Sequence, residues 1–551
     1  MSEAEDRKPR SDEARATFDP EITSEFAIPE GLAVARVSGE SETTSEFAVP
    51  KGLESAQAEE PEGSAFNTPR TYSVKDAPSA FTPATGVPMI TLITDAPWQD
   101  RMRTMLRMPV AERPALEPVV RSEDEGPAVP RVLDLTLRIG ELLLAGGEGA
   151  EDVEAAMFAV CRSYGLDRCE PTVTFTLLSI TYQPSLVEDP VTASRTVRRR
   201  GTDYTRLAAV FRLVDDLTDA ETHLSLEEAY GRLAEMRRNR HPYPGWALTL
   251  ASGGLAGAAS VLVGGDVLVF IAAAVGAMLG DRLAWLLAGR GLPEFYQFTV
   301  AAMPPAAIGV AFALADVDVK ASAVITGGLF ALLPGRALVA GVQDGLTGFY
   351  ITASARLLEV MYFFVAIVIG VLTVLYFGVQ IGGELNPDAA LNISSRPVVQ
   401  ILASMVLSLT FAVLLQQERS TVLWVTLNGG VAWSVYGALH YTAGISPVAS
   451  TAVAAGLVGL FGQLLARYQF ASALPFTTAA IGPLLPGSAT YFGLLSIAQS
   501  EVDKGLVSLA KAVSLAMAIA IGVNLGAEIS RLTLRIGSAG KRRAAKRTRG
   551  F

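Results

Sequence analysis

"ALLPG" at Ala331–Gly335 and "PLLPG" at Pro483–Gly487 share the letters Leu-Leu-Pro-Gly at a separation of 152 residues. Both copies lie inside apolar runs long enough to be membrane helices. Proline removes a backbone donor and clashes with the preceding turn, and glycine is a weak helix former. Each copy therefore predicts a break in a membrane helix. The freed backbone groups there must be satisfied by protein, water or a bound molecule. A packing kink accounts for one Pro-Gly. Two copies in corresponding places predict a shared architectural role.

Ten apolar segments are expected, at about 246–264, 267–288, 295–315, 321–342, 349–377, 398–416, 421–440, 445–466, 474–498 and 505–527. Each can cross roughly 30 Å of hydrocarbon as a helix. The composition agrees: mean hydropathy is +0.35 and only 18% of residues are charged, against about 25% in soluble domains. With ten segments the breaks fall in the fourth and the ninth, each the fourth of a five-helix half. An odd number of crossings inserts the second half upside down. The fold class expected is a polytopic α-helical membrane protein with two inverted five-helix halves, 243–380 and 381–530. Inverted repeats with interrupted helices are a transporter signature.

Loop charge sets the expected orientation. With the N-terminal side inside, Arg282, Arg290, Arg356, Arg419, Arg467 and the basic tail 531–551 hold or adjoin the inner connections, against Lys320, Arg396 and Lys504 outside. That bias places both termini in the cytoplasm. The tail "KRRAAKRTRG" follows a membrane helix directly, so it marks the cytoplasmic side and no nucleic-acid partner is expected. The opening "MSEAEDRKPRSDEARA" has no apolar core, so the membrane helices themselves are expected to direct insertion.

Residues 1–130 read as an acidic, disordered region, with 16 Asp/Glu against 7 Lys/Arg in the first 70 positions. "TSEFA" occurs twice there, at Thr23–Ala27 and Thr44–Ala48, and Ile90–Met108 suggests a short docking helix. Residues 131–242 read as a small cytoplasmic α+β domain in the order helix, helix, one or two strands, helix, helix. Cys161 and Cys169 are expected to be free thiols. His223, His241 and His440 are scattered, and there is no Walker loop, so no metal or other cofactor is expected.

Charges inside a span are functional suspects. Arg336 follows the first Pro-Gly, and Asp344 lies eight residues on, about 2.2 helical turns. Arg336 is a candidate to receive a substrate carboxylate, and Asp344 to face an amine or carry a coupled proton; an internal Arg–Asp network is the alternative. Arg356 and Glu359, one turn apart, form a gate or a local ion pair. Asp281 is a proton-carrier candidate or an interfacial residue. Pro334, Gly335, Pro486, Gly487, Ser488 and Tyr491 are candidates for the pathway. Gln297, Asn428 and Gln463 are better placed as interhelical glue.

Four stretches together resemble the threonine/serine exporter family: Leu142–Leu166, Thr172–Thr176, Ile325–Glu359 and Ile481–Leu494. The resemblance covers roughly 131–530. It implies a cytoplasmic domain joined to five helices, then five more, in a bacterial plasma membrane. It also implies secondary, proton-linked export of small amino acids such as threonine and serine, by alternating access, with homo-oligomer formation left open. "GGEGAEDVEAA" carries a glycine-containing turn beyond the family pattern, so no role is carried over to Glu148 or Glu151. Export of small dicarboxylates such as succinate fits the same fold. An enzyme in 131–242 lacks a coherent nucleophile and base, and a sensor or scaffold would rest on the repeated tail.

Overall fold

The computed structural model describes residues 98–107, 129–185, 187–198, 201, 203–219, 224–238, 242–315, 320–381, 396–469, 472–498 and 501–548. The "TSEFA" repeat, His223 and His241 lie outside these residues, and for Arg336, Gln469, Tyr491, Leu494, Leu495, Ala498 and 533–548 only the backbone is described.

The first described element is the expected docking helix, α1 (Trp98–Arg107). Trp98, Met102 and Met105, at helical spacing, are buried. Two helices follow, α2 (Val129–Ala145) and α3 (Ala150–Ser163), separated by the glycine turn foreseen at 146–147. Gly147 takes a φ of 90°, and Gly165 stops the α3 segment with a φ of 88°. The strand region holds three strands, where one or two were expected: β1 (Cys169–Thr174), β2 (Leu177–Tyr182) and β3 (Val191–Thr196), an antiparallel meander. β3 (VTASRT) buries none of its side chains and has no apolar alternation, which is why its sequence does not announce a strand. Helices α4 (Tyr204–Thr218) and α5 (Leu226–Arg238) complete this α+β domain. Both cysteines are buried, unbridged thiols.

The apolar part contains α6 (Gly245–Leu262), α7 (Val267–Gly289), α8 (Glu294–Leu314), α9 (Ala321–Phe330), α10 (Gly335–Leu346), α11 (Tyr350–Gln380), α12 (Pro397–Leu414), α13 (Arg419–Gly437), α14 (Pro447–Gln469), α15 (Leu474–Thr478), α16 (Gly487–Ala498) and α17 (Val502–Thr548). Among the described residues, eight helices are long and apolar enough to cross a bilayer. The fourth and ninth apolar segments are the interrupted ones. α9 stops before Leu-Leu-Pro-Gly and α10 restarts on its glycine; α15 and a 3-10 turn (Gly482–Leu484) precede the second copy, and α16 restarts on that glycine.

The two helical sets keep one register. Gly245 to Pro397, Val267 to Arg419, Gly335 to Gly487 and Tyr350 to Val502 are each 152 residues apart, and Glu294 to Pro447 and Ala321 to Leu474 are 153 apart. Corresponding helices meet the α+β domain with opposite ends. α11 begins there, where Thr352 Oγ1 accepts the Phe175 N–H at 3.2 Å. α17 reaches α1, which is seated on that domain, towards its C-terminal end, where Arg531 pairs with Asp100. α12 ends there, with the Leu415 carbonyl accepting the Tyr204 N–H at 3.1 Å. Among the described residues, the non-glycine ones with positive φ, Phe175 (40°) and Gln416 (52°), both lie at this junction. The Gln416 carbonyl accepts from Thr205 Oγ1 at 2.7 Å, a contact that helps offset the strain.

Close helix contacts rest on small residues, as expected without a hydrophobic driving force between helices. A Cβ at Gly522 or Gly526 of α17 would collide with backbone of α14, at Ala452 and Gly456. At the position 152 residues before Gly522, Gly370 of α11 meets the Thr299 backbone of α8 in the same way.

Candidate functional site

The two breaks pack against each other. Leu485 of the second copy fills the space beside Gly335 of the first, and Leu333 of the first fills the space beside Gly487 of the second. The local hydrogen bonds also correspond: Gly335 N to Leu333 O and Gly487 N to Leu485 O are both 2.8 Å. Ser488 is half-buried at the start of α16. Pro334, Gly335, Pro486 and Gly487 thus form a crossing of backbone and leucine side chains.

A cavity of about 870 Å³ lies between the α+β domain and the helices. Its lining draws on α1, the α2–α3 turn, α3, α4, α10, α14, the segment leading into α15, and α17. Of the charged residues singled out in the sequence, Asp344 lines it, and Gln463 of α14 does so as well. Asp344 is held tightly. Its Oδ2 pairs with Arg356 Nη1 at 3.0 Å, and its Oδ1 accepts the Ala150 N–H at 3.1 Å. Ala150 is the first residue of α3, so a carboxylate from α10 sits at that helix's open N–H groups and positive dipole end. Arg356 Nη2 also donates to the Glu148 carbonyl at 3.0 Å. One ion pair thus fastens α10 and α11 to the α2–α3 turn.

Glu148 itself lines the cavity and is 4% exposed. Its carboxylate accepts from Ser472 Oγ at 3.2 Å, and among the described residues no cation lies within ion-pair distance of it. Burial pushes its carboxyl up to about 7, and Asp344 adds to the rise, while the Ser472 hydroxyl, Arg103 and Arg356 oppose it. A second charged group surrounds Asp100. Arg467 Nη2 and Arg531 Nε reach its two oxygens at 2.9 and 3.2 Å, and Arg103 pairs with Asp152. Burial, then Arg531, lowers the Arg103 guanidinium to about 10. Gln343 Nε2 donates to Asn524 Oδ1 at 2.9 Å across α10 and α17.

The other candidates lie apart from the cavity lining. Asp281 accepts from Thr249 Oγ1 at 2.7 Å, tying α7 to α6. Glu359 is half-buried one turn beyond Arg356. Asn428 bonds the Val458 carbonyl of α14 at 3.3 Å, the interhelical use expected, whereas Gln297 bonds the Leu292 carbonyl just before its own helix at 2.7 Å. The side chains of Arg336 and Tyr491 are outside the described ones. Sequence reasoning missed Glu148, Asp100, Arg103, Gln343, Ser472, Asn524 and Arg531 as lining groups, and it used Arg467 only for orientation.

The threonine/serine exporter family model matches residues 134–378, and a second model, "Threonine/Serine exporter, ThrE", matches 400–529. The "Probable threonine/serine exporter" of Mycobacterium tuberculosis is 33% identical over 407 residues, covering 72% of this chain and 76% of that one. The "Threonine/serine exporter" of Corynebacterium glutamicum is 31% identical over 419 residues, covering 73% and 83%. No solved structure matches the chain.

Proposed function

Because the chain belongs to the threonine/serine exporter family, we propose that it exports threonine and serine by alternating access, coupled to inward proton flow. The observation that carries the substrate class is the chemistry of the cavity. Its volume of about 870 Å³ suits a small molecule. Its lining mixes arginines with carboxylates and adds the Gln343–Asn524 amide pair and the Ser472 and Thr477 hydroxyls. A hydroxylated zwitterion can find a partner for each of its groups there. The lining holds seven carboxylates, Asp100, Glu148, Glu151, Asp152, Asp215, Asp344 and Glu528, against three arginines, Arg103, Arg467 and Arg531. That balance disfavours a dianion such as succinate.

The constant register, the opposed helix ends and the reciprocal packing at the breaks support ten spans in two inverted five-helix halves. The α+β domain and both termini are then cytoplasmic in a bacterial plasma membrane, and the cavity opens towards the cytoplasm. In this reading the Asp344–Arg356 pair is a gate tie between the cytoplasmic domain and the first half. Glu148, buried with Ser472 as its hydroxyl donor, exchanges the coupled proton. The Pro-Gly crossing is the point about which the halves rock, with Arg336, Ser488 and Tyr491 as pathway candidates beside it.

The test is export from loaded proteoliposomes, with threonine, serine and succinate compared with and without an imposed proton gradient. Threonine and serine flux that rises with the gradient is expected. Succinate flux in the absence of amino-acid flux would overturn the assignment.

A further inference from the structure

α1 lies at 98–107, ahead of residue 134, where the family match begins, yet it supplies part of the cavity wall through Trp98, Asp100 and Arg103. Its apolar side is seated on the α+β domain, with the Trp98 ring centroid 5.9 Å from that of Phe211 of α4. Its polar side reaches the membrane helices. Asp100, 6% exposed, receives Arg467 of α14 at 2.9 Å on Oδ2 and Arg531 of α17 at 3.2 Å on Oδ1. Two guanidinium groups from different membrane helices therefore converge on one carboxylate, Arg467 through a hydrogen bond and Arg531 as an ion pair, while Arg103 of α1 itself lies 3.7 Å from Oδ1.

That arrangement is a carboxylate receptor. Guanidinium groups present fixed forks of donors that match a carboxylate's two oxygens, and such charge-assisted bonds are the strong ones. Its occupant comes from a short helix outside the family-matched modules. An amino-acid substrate brings a carboxylate of the same geometry into the same cavity, whose lining elsewhere offers Glu148 and Asp152 to an ammonium group. We propose that Arg467 and Arg531 form the carboxylate subsite of the cavity, and that Asp100 on α1 occupies it as an internal competitor which the substrate must displace. The inference rests on the amino-acid reading for its ligand. The strap itself rests only on the contacts of α1.

Displacement exchanges one carboxylate for another, so the two half-buried arginines keep a carboxylate partner throughout. The energetic threshold for loading is then set by how firmly α1 is seated. At low cytoplasmic substrate Asp100 keeps the subsite filled, and at high substrate the equilibrium shifts in proportion to the differential affinity of the two carboxylates.

The test uses the full chain in proteoliposomes. Asp100→Asn removes the competing charge, and Trp98→Ala loosens α1 while keeping Asp100. Both are expected to lower the KM for threonine on the loading side several-fold without lowering kcat, whereas Arg467→Gln is expected to raise it. A second readout does not depend on transport. Gln463→Cys places a thiol in the cavity, the native Cys161 and Cys169 being buried. Its labelling by a membrane-impermeant thiol reagent from the domain side is expected to quicken in the Asp100→Asn and Trp98→Ala backgrounds. Faster labelling without any amino-acid export would keep the strap and overturn the carboxylate ligand. Export with unchanged KM and unchanged labelling in both well-folded variants would make Asp100 a static staple and overturn the proposal.

Discussion

Gly335 packs against Leu485, and the reciprocal contact, Gly487 against Leu333, joins the positions 152 residues away from each. A contact that maps onto itself when two segments exchange places is what a two-fold relation between them produces. On the proposed inverted-repeat reading, the broken helices would lie at its axis. Elsewhere the relation is traced by exchanged contacts: α10 meets α17 while α16 meets α11.

The crossing predicts a size-complementation test. A Cβ at Gly335 would stand 2.5 Å from Leu485 Cδ1, well inside van der Waals contact. Gly335→Ala and Gly487→Ala should each destabilise the folded protein by about 1–3 kcal/mol through overpacking. Leu485→Ala should rescue Gly335→Ala, and Leu333→Ala should rescue Gly487→Ala; the crossed pairs should not. Thermal unfolding in detergent checks this. Equal rescue by either leucine would remove the reciprocal contact as the cause.

The ion pair at the domain junction predicts strong non-additivity. Arg356 and Asp344 are both nearly excluded from solvent. Removing either partner leaves a buried charge, at a cost of about 3–5 kcal/mol. Asp344→Asn and Arg356→Met should each unfold the junction and stop export. The double variant should recover stability, because no bare charge remains, but should not recover export if the pair is a gate tie. A double-mutant cycle on melting temperature, with flux measured in parallel, separates the two roles.

The helical architecture was legible because its signals are local. Proline and glycine write the two breaks into the chain, and among the described residues eight apolar helices are each long enough to span a bilayer. β3 was not legible, since none of its side chains is buried and its order comes from pairing with β2. The cavity was hardest, for a geometric reason. Asp100 meets Arg467 and Arg531, and Glu148 meets Ser472, across hundreds of residues, so no spacing rule connects them. Asp344 and Arg356 were singled out separately, as charges inside apolar segments. The sequence reading set Asp344 beside Arg336 and Arg356 beside Glu359, whereas the direct contact is Asp344 with Arg356. Glu148 sat in a glycine turn whose departure from the family pattern concealed that it is buried.

The Gln343–Asn524 bond makes the two halves chemically unequal. The positions related to these by 152 residues are Leu495 and Leu372. The contact of α10 with α17 thus carries an amide pair, while the related positions in the sequence are leucines. Gln343→Leu and Asn524→Leu should each leave the partner amide unpaired in the cavity wall and weaken threonine more than a non-hydroxylated analogue such as alanine, if the amides read the hydroxyl. Competition of alanine against labelled threonine gives the ratio. A uniform loss for both amino acids would assign the pair to packing.

Glu148 predicts how pH acts. Its carboxyl titrates near 7 when folded, against about 4.5 for an unperturbed glutamate. Between those values the folded protein binds more protons than the unfolded chain, so stability falls as pH rises from about 4.5 to about 7 and is level above that. The full span is on the order of 3 kcal/mol. Glu148→Gln should remove this slope and make the variant more stable than the parent at pH 8, with little difference at pH 4.5. The same substitution should abolish the response of export to an imposed proton gradient while leaving gradient-free exchange of threonine across the membrane. Melting curves across pH test the titration, and flux with and without the gradient tests the coupling. Because Ser472 is the hydroxyl that donates to the ionised form, Ser472→Ala should raise the Glu148 titration further and move the pH response upward. An unchanged response in Ser472→Ala would place the proton on another group.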